Sequence, residues 1–184
     1  MGFFYDYRAS DTATALNAAS NIVKATNQNC LQAKGGLGTF YADAITAAET
    51  ALIAQQNARG GTNVLILLSD GAASSNSSQM GALETSNLNS QCHAAITAAQ
   101  AAAKAGTWVY SIYYDDNGGN CNDTTAITSC SAMKQIASDP SKFFSTDGTT
   151  GLCPSTNAYT SISSILSTIG ASVTTTRLLP NNTT

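Results

Sequence analysis

Two oxygen-bearing side chains stand where a parallel α/β sheet would present a ligand site. The run Asn63-Val-Leu-Ile-Leu-Leu68 is apolar without a break and stops at Ser69-Asp70-Gly71. A strand that is dry on both faces and ends on a carboxylate puts Asp70 at the carboxyl edge of its sheet, where open α/β sheets bind ligands. Upstream, Gly35-Gly36-Leu37-Gly38-Thr39 opens a helical segment, so Thr39 arrives at a helix N-terminus. A hydroxyl and a carboxylate are hard oxygen ligands of the kind Mg²⁺ prefers, while the ion keeps waters in its shell. Two protein oxygens alone make a weak site. Each residue also has a plainer role, Thr39 as an N-cap and Asp70 as the cap of the turn after its strand. Asp115 and Asp116 end a second strand at the same edge, as added negative charge or as a solvated turn.

Other chemistries find less. His93 is the only histidine and sits beside Cys92 near a helix start, where a solvated or loop-capping role is its default. A hydrolase elbow of the G-x-S-x-G type is absent, and so is a dinucleotide loop G-x-G-x-x-G between strand and helix. The reading is therefore a binding module and not an enzyme. None of the five cysteines, Cys30, Cys92, Cys121, Cys130 and Cys153, forms a C-x-x-C pair, which argues against a zinc ribbon or a dithiol redox site. All lie in expected loops or helix starts, so disulfides in an oxidising compartment are expected. Cys121 with Cys130 is the simplest pair, and Cys30 with Cys92 would bridge two loops of one edge. Spacing alone does not fix the connectivity.

These residues need elements to hold them. The periodicity predicts a short helix over 10–26 and an Ala-rich amphipathic helix over 39–57. The buried strand over 63–68 follows, then a polar loop over 72–90 and a helix over 91–105. A strand over 107–114 is rich in β-branched and aromatic residues. After a loop come a helix over 131–137, a short strand over 142–145 and a last helix over 157–173. Alternation of this kind means a mostly parallel sheet with helices on both faces, a three-layer α/β/α, Rossmann-like architecture. It is read as a single domain: an N-terminal extension and helix over 1–30, an α/β core over 31–173 and a frayed tail over 174–184.

Composition limits the partners. Hydrophobic residues make up 43% of the 184, enough for a packed core, while charged residues are only 10%. The net charge is −3 and the Lys and Arg residues are scattered, so a nucleic-acid footprint is excluded. No apolar run is long enough to cross a bilayer. The start Met1-Gly-Phe-Phe-Tyr-Asp-Tyr-Arg8 lacks the basic and apolar regions of a signal peptide. Any export signal or anchor is expected outside this chain.

At Thr39 and Asp70 the chain resembles the C-terminal part of von Willebrand factor A-type (vWA) domains. In that family a Thr after a Gly-rich turn supplies the second metal loop, and a hydrophobic strand ending in Asp-Gly supplies the third. The resemblance implies a metal-ion-dependent adhesion site, with Mg²⁺ on Thr39 and Asp70 taking its last ligand from an acidic group of a partner. Eight stretches are similar to bacterial TadG-like proteins of the tight-adherence (Flp) pilus-assembly group. They are Asp6-Tyr-Arg8, Leu16-Asn17, Gly38-Thr-Phe-Tyr-Ala-Asp43, Leu67-Leu-Ser-Asp-Gly71, Ala105-Gly-Thr-Trp-Val-Tyr110, Ile136-Ala-Ser-Asp-Pro140, Lys142-Phe-Phe144 and Arg177-Leu-Leu-Pro180. That likeness implies a periplasmic or cell-surface module whose partner is a pilus-assembly or surface component. The chain departs from the family at its first metal loop. No D-x-S-x-S motif is present, and Asp6, Ser10 and Asp11 lack its spacing. The first strands of the family are thus expected to be missing. The flank of the 64–68 strand then needs cover from another chain or segment, or from Phe3-Phe4-Tyr5.

Overall fold

A computed structural model describes residues 7–8, 10, 13–20, 23–24, 38–78, 80, 87–114, 120–156, 159 and 161–175. The chain divides into two compact units, Met1–Leu37 and Gly38–Thr184.

The first unit departs from expectation. Among the described residues the helix expected over 10–26 does not span 13–20: Arg8 and Leu16 make an isolated antiparallel bridge, and Asn17 donates its amide to the Tyr7 carbonyl at 2.8 Å, whereas the Lys24 amide makes a helical bond to the Ser20 carbonyl at 2.9 Å. Of the described residues in that span, only Val23 and Lys24 are helical. The apolar stripe of Leu16, Ile22 and Val23 is too sparse to outweigh these local backbone bonds. Phe3, Phe4, Tyr5 and Cys30 lie outside the described residues.

The second unit is α/β. Its elements are α1 (Tyr41–Arg59), β1 (Val64–Ser69), α2 (Gln91–Lys104), β2 (Trp108–Tyr113), α3 (Ser129–Ile136), β3 (Phe143–Ser145) and α4 (Ile162–Thr175). A 3-10 turn at Pro140–Lys142 leads into β3. The sheet is parallel throughout, in the order β1-β2-β3. Val64 pairs with Trp108 and Ser69 with Tyr113, so β1 and β2 run level over six residues.

Side-chain alternation divides the core in two. Leu65, Val109, Tyr113 and Phe143 point to the face covered by α1, α2 and α3, where they meet Ile45, Ala95, Ala99 and Met133. Tyr110, Ile112 and Phe144 point to the other face and pack on Ile165 and Ile169 of α4. The alanines of α2 let that helix sit close against both the sheet and α1. Helices thus cover both faces, as strand alternation requires. The cover is incomplete over β1. Ile66 and Leu68 stand in register with Tyr110 and Ile112 and point the same way, yet are 42% and 47% exposed. Among the described residues, β1 pairs only with β2.

The last helix begins later than its apolar stripe predicts, at Ile162. The Ser161 hydroxyl accepts the Ser164 amide at 3.2 Å, an N-cap that stops the helix there. No helix among the described residues is long and apolar enough to cross a membrane.

Candidate functional site

The loop before α1 and the loop after β1 are bound to each other. The Ser74 amide donates to the Thr39 carbonyl at 3.1 Å. Tyr41, in the first turn of α1, puts its phenol oxygen 2.6 Å from Ser69 Oγ and donates to the Ala72 carbonyl at 3.0 Å. Gly38 fits against Ser74 and Ser75 so closely that a Cβ would lie 2.5 Å from the Ser74 oxygen. Gln91, fully buried at the start of α2, accepts from the Ser75 amide at 2.9 Å and donates to its carbonyl at 2.7 Å. Burial, and secondarily the nearby Asp70 charge, push the Tyr41 phenol up to about 12. It stays a neutral hydrogen-bonding group at any physiological pH.

This lacing leaves the two predicted residues outward. Thr39 and Asp70 are both exposed. The plainer roles do not hold. The N-cap of α1 is Phe40, with no side-chain cap. The turn after β1 is closed by Ser69, whose hydroxyl accepts the Gly71 amide at 3.1 Å. Asp70 receives one long contact, from Ser69 Oγ at 3.3 Å. Gly71 is required where it stands. Its φ is 98°, and a Cβ there would lie 2.6 Å from the Tyr113 ring and 2.7 Å from Ser129 Cβ. Asp115 and Asp116 lie outside the described residues.

No family model, curated protein or solved structure matches this chain.

The donor set then decides what ion the edge could hold. By type, Thr39 and Asp70 are hard oxygen donors, of the kind Mg²⁺ takes while it keeps waters in its shell. They are too few for an all-protein cage. Among the described residues, no group of three or more His, Cys, Asp or Glu side chains could hold a metal.

The disulfides differ from the expected pairing. Cys92 joins Cys121, and Cys130 joins Cys153, at Cα separations of 5.9 and 5.3 Å. The reason lies in how the loop after β2 folds. Asn120 and Thr128 bridge as its two sides, and its tip docks on the N-terminus of α2. That turns Cys121 toward Cys92. Cys130, in the first turn of α3, is left to meet the loop after β3. Both bridges tie a loop following a strand to a helix on one face of the sheet.

The same docking brings together a pair that sequence reasoning missed. Ser90 is the N-cap of α2 but makes no side-chain cap. Asp123 supplies it from the loop, accepting the amides of Cys92 and His93 at 3.0 Å each. Asp123 Oδ2 also lies 2.5 Å from His93 Nδ1. The Asp123 side chain is fully buried and that of His93 is 44% exposed. His93 is thus oriented by a buried carboxylate rather than loosely solvated. The only advance signal was an acidic residue two positions from a cysteine.

Proposed function

We propose that this chain is a non-catalytic binding module of the vWA type that works outside the cytosol in a bacterial surface assembly of the pilus or adhesion kind. In this reading the carboxyl edge of the sheet is the docking edge. Thr39 and Asp70 hold a largely hydrated Mg²⁺, whose remaining position takes an acidic group from a protein partner. The observation that carries the reading is the lacing of the Thr39 and Asp70 loops, which leaves both side chains exposed with no capping role. The parallel sheet with helices on both faces is compatible with it. Two disulfides fit an oxidising, extracellular compartment. The pilus assignment rests on the sequence stretches that resemble TadG-like proteins.

A second reading is a disulfide-braced structural domain with no metal role. It is favoured by the lack of a cluster of three metal-binding side chains among the described residues. Calorimetric titration of Mg²⁺ into the chain separates the two. The binding reading expects saturable heat that Asp70→Asn abolishes and Thr39→Ala weakens. Equal behaviour of Asp70→Asn and the parent chain would rule out the site.

A further inference from the structure

We propose that two copies of this chain join edge to edge through β1, running antiparallel within one continuous sheet. β1 has the sequence of a central strand in the position of an edge strand. Val64-Leu-Ile-Leu-Leu68 is apolar at every position, the pattern of a strand buried on both faces. Among the described residues it pairs with β2 alone. Edge strands of monomers are usually guarded by a charge, a proline or a bulge. β1 carries no charged residue and no proline over Val64–Ser69, and its register with β2 is unbroken.

The hydrogen bonds to β2 fix which backbone groups face outward. The Asn63 and Ser69 carbonyls accept the amides of Trp108 at 2.9 Å and Tyr114 at 2.8 Å. Alternate residues of a strand turn their backbone groups to opposite edges, so those of Val64, Ile66 and Leu68 point away from β2. A second β1 matches them by symmetry. With Ile66 opposite its own counterpart, Val64 of each copy faces Leu68 of the other, and these outward amides and carbonyls all find partners. Ile66 and Leu68, 42% and 47% exposed, then gain apolar cross-strand neighbours on one face. Asp70 falls opposite Thr62, so like charges stay apart. The contact is isologous and closes at two copies. β3, at the far edge, spans three residues, and a contact between β1 and β3 would leave an open end at every step. Pairing needs β1 alone and forms with or without an ion at Thr39 and Asp70.

Sedimentation equilibrium of the full chain over a range of concentrations is the test, and a dimer mass is expected. Ile66→Lys sets two ammonium groups opposite each other at an exposed position and should weaken the dimer by about tenfold. Ile66→Glu should do the same. An equimolar mixture of the two variants should restore a dimer, because the two copies face each other at this position. Hydrogen exchange should slow at the amides of Val64, Ile66 and Leu68 as the parent chain is concentrated. A monomer at every concentration, a dimer indifferent to both variants, or a mixture that stays monomeric would each overturn the proposal. A monomer whose same amides are already protected would overturn it too, and assign the edge to a segment of the chain itself.

Discussion

The phenol oxygen of Tyr41 lies 2.6 Å from the hydroxyl oxygen of Ser69, twenty-eight residues along the chain, and joins the start of α1 to the end of β1. The same phenol reaches the Ala72 carbonyl, so one buried side chain holds the strand end and the turn beyond it. The exposed positions of Thr39 and Asp70 follow from that anchor.

Tyr41→Phe should cost about 1–2 kcal/mol, the worth of its hydrogen bonds and of the partners left unsatisfied. The pH dependence is more diagnostic. The folded phenol titrates at about 12 against an ordinary 10.0. A group raised on folding contributes stability in full below its unfolded pKa and loses it as pH rises through its folded one. Stability attributable to Tyr41 should therefore be flat below pH 10 and fall toward pH 12. Denaturant unfolding across that range should show the decline in the parent chain and a smaller one in Tyr41→Phe.

Asp123→Ala should cost about 2–3 kcal/mol, because charge-assisted bonds to two α2 amides and one to His93 are lost together. Hydrogen exchange should speed up at the amides of Cys92 and His93, leaving β2 protected. Equal protection at α2's first turn would show that Asp123 is not its cap.

Replacing Cys92 and Cys121 together by Ser should cost about 3–4 kcal/mol, given the sequence separation of 29. The same change at Cys130 and Cys153, with a separation of 23, should cost nearly as much. Thermal unfolding with and without reductant checks both. Peptide mapping under non-reducing conditions would expose the alternative Cys121–Cys130 pairing.

Gly71→Ala should destabilise by about 2–3 kcal/mol, since it combines a positive φ with a collision against Tyr113 and Ser129. A loss within a few tenths of a kcal/mol of zero, measured by chemical unfolding, would mean that the turn rearranges freely.

The order of elements in the second unit was legible because its signals are local. The Val64–Leu68 run and the alanine stripe of α2 each declare their type within a few residues. The positions of Thr39 before α1 and of Asp70 after β1 were legible for the same reason, each following a breaker or a strand. What escaped depends on contacts between distant segments. Asp123 acts on a helix thirty residues away, and Tyr41 hides its role in an Ala-rich helix. Disulfide partners are chosen by where the loop after β2 lands. Over 13–20 the predicted helix erred in the opposite sense: a weak local signal gave way to the bridge between Arg8 and Leu16, while Val23 and Lys24 are helical.

Ile66 and Leu68, side by side on β1 with no helix among the described residues over them, should give the folded chain a standing affinity for greasy surfaces. Dyes that brighten in apolar surroundings should then glow with the native protein before any heating, which fluorescence at room temperature checks. Melting curves that rely on such dyes will therefore start from a high baseline and understate the transition. Tryptophan emission, from the single Trp108 at the head of β2, is the cleaner reporter of unfolding.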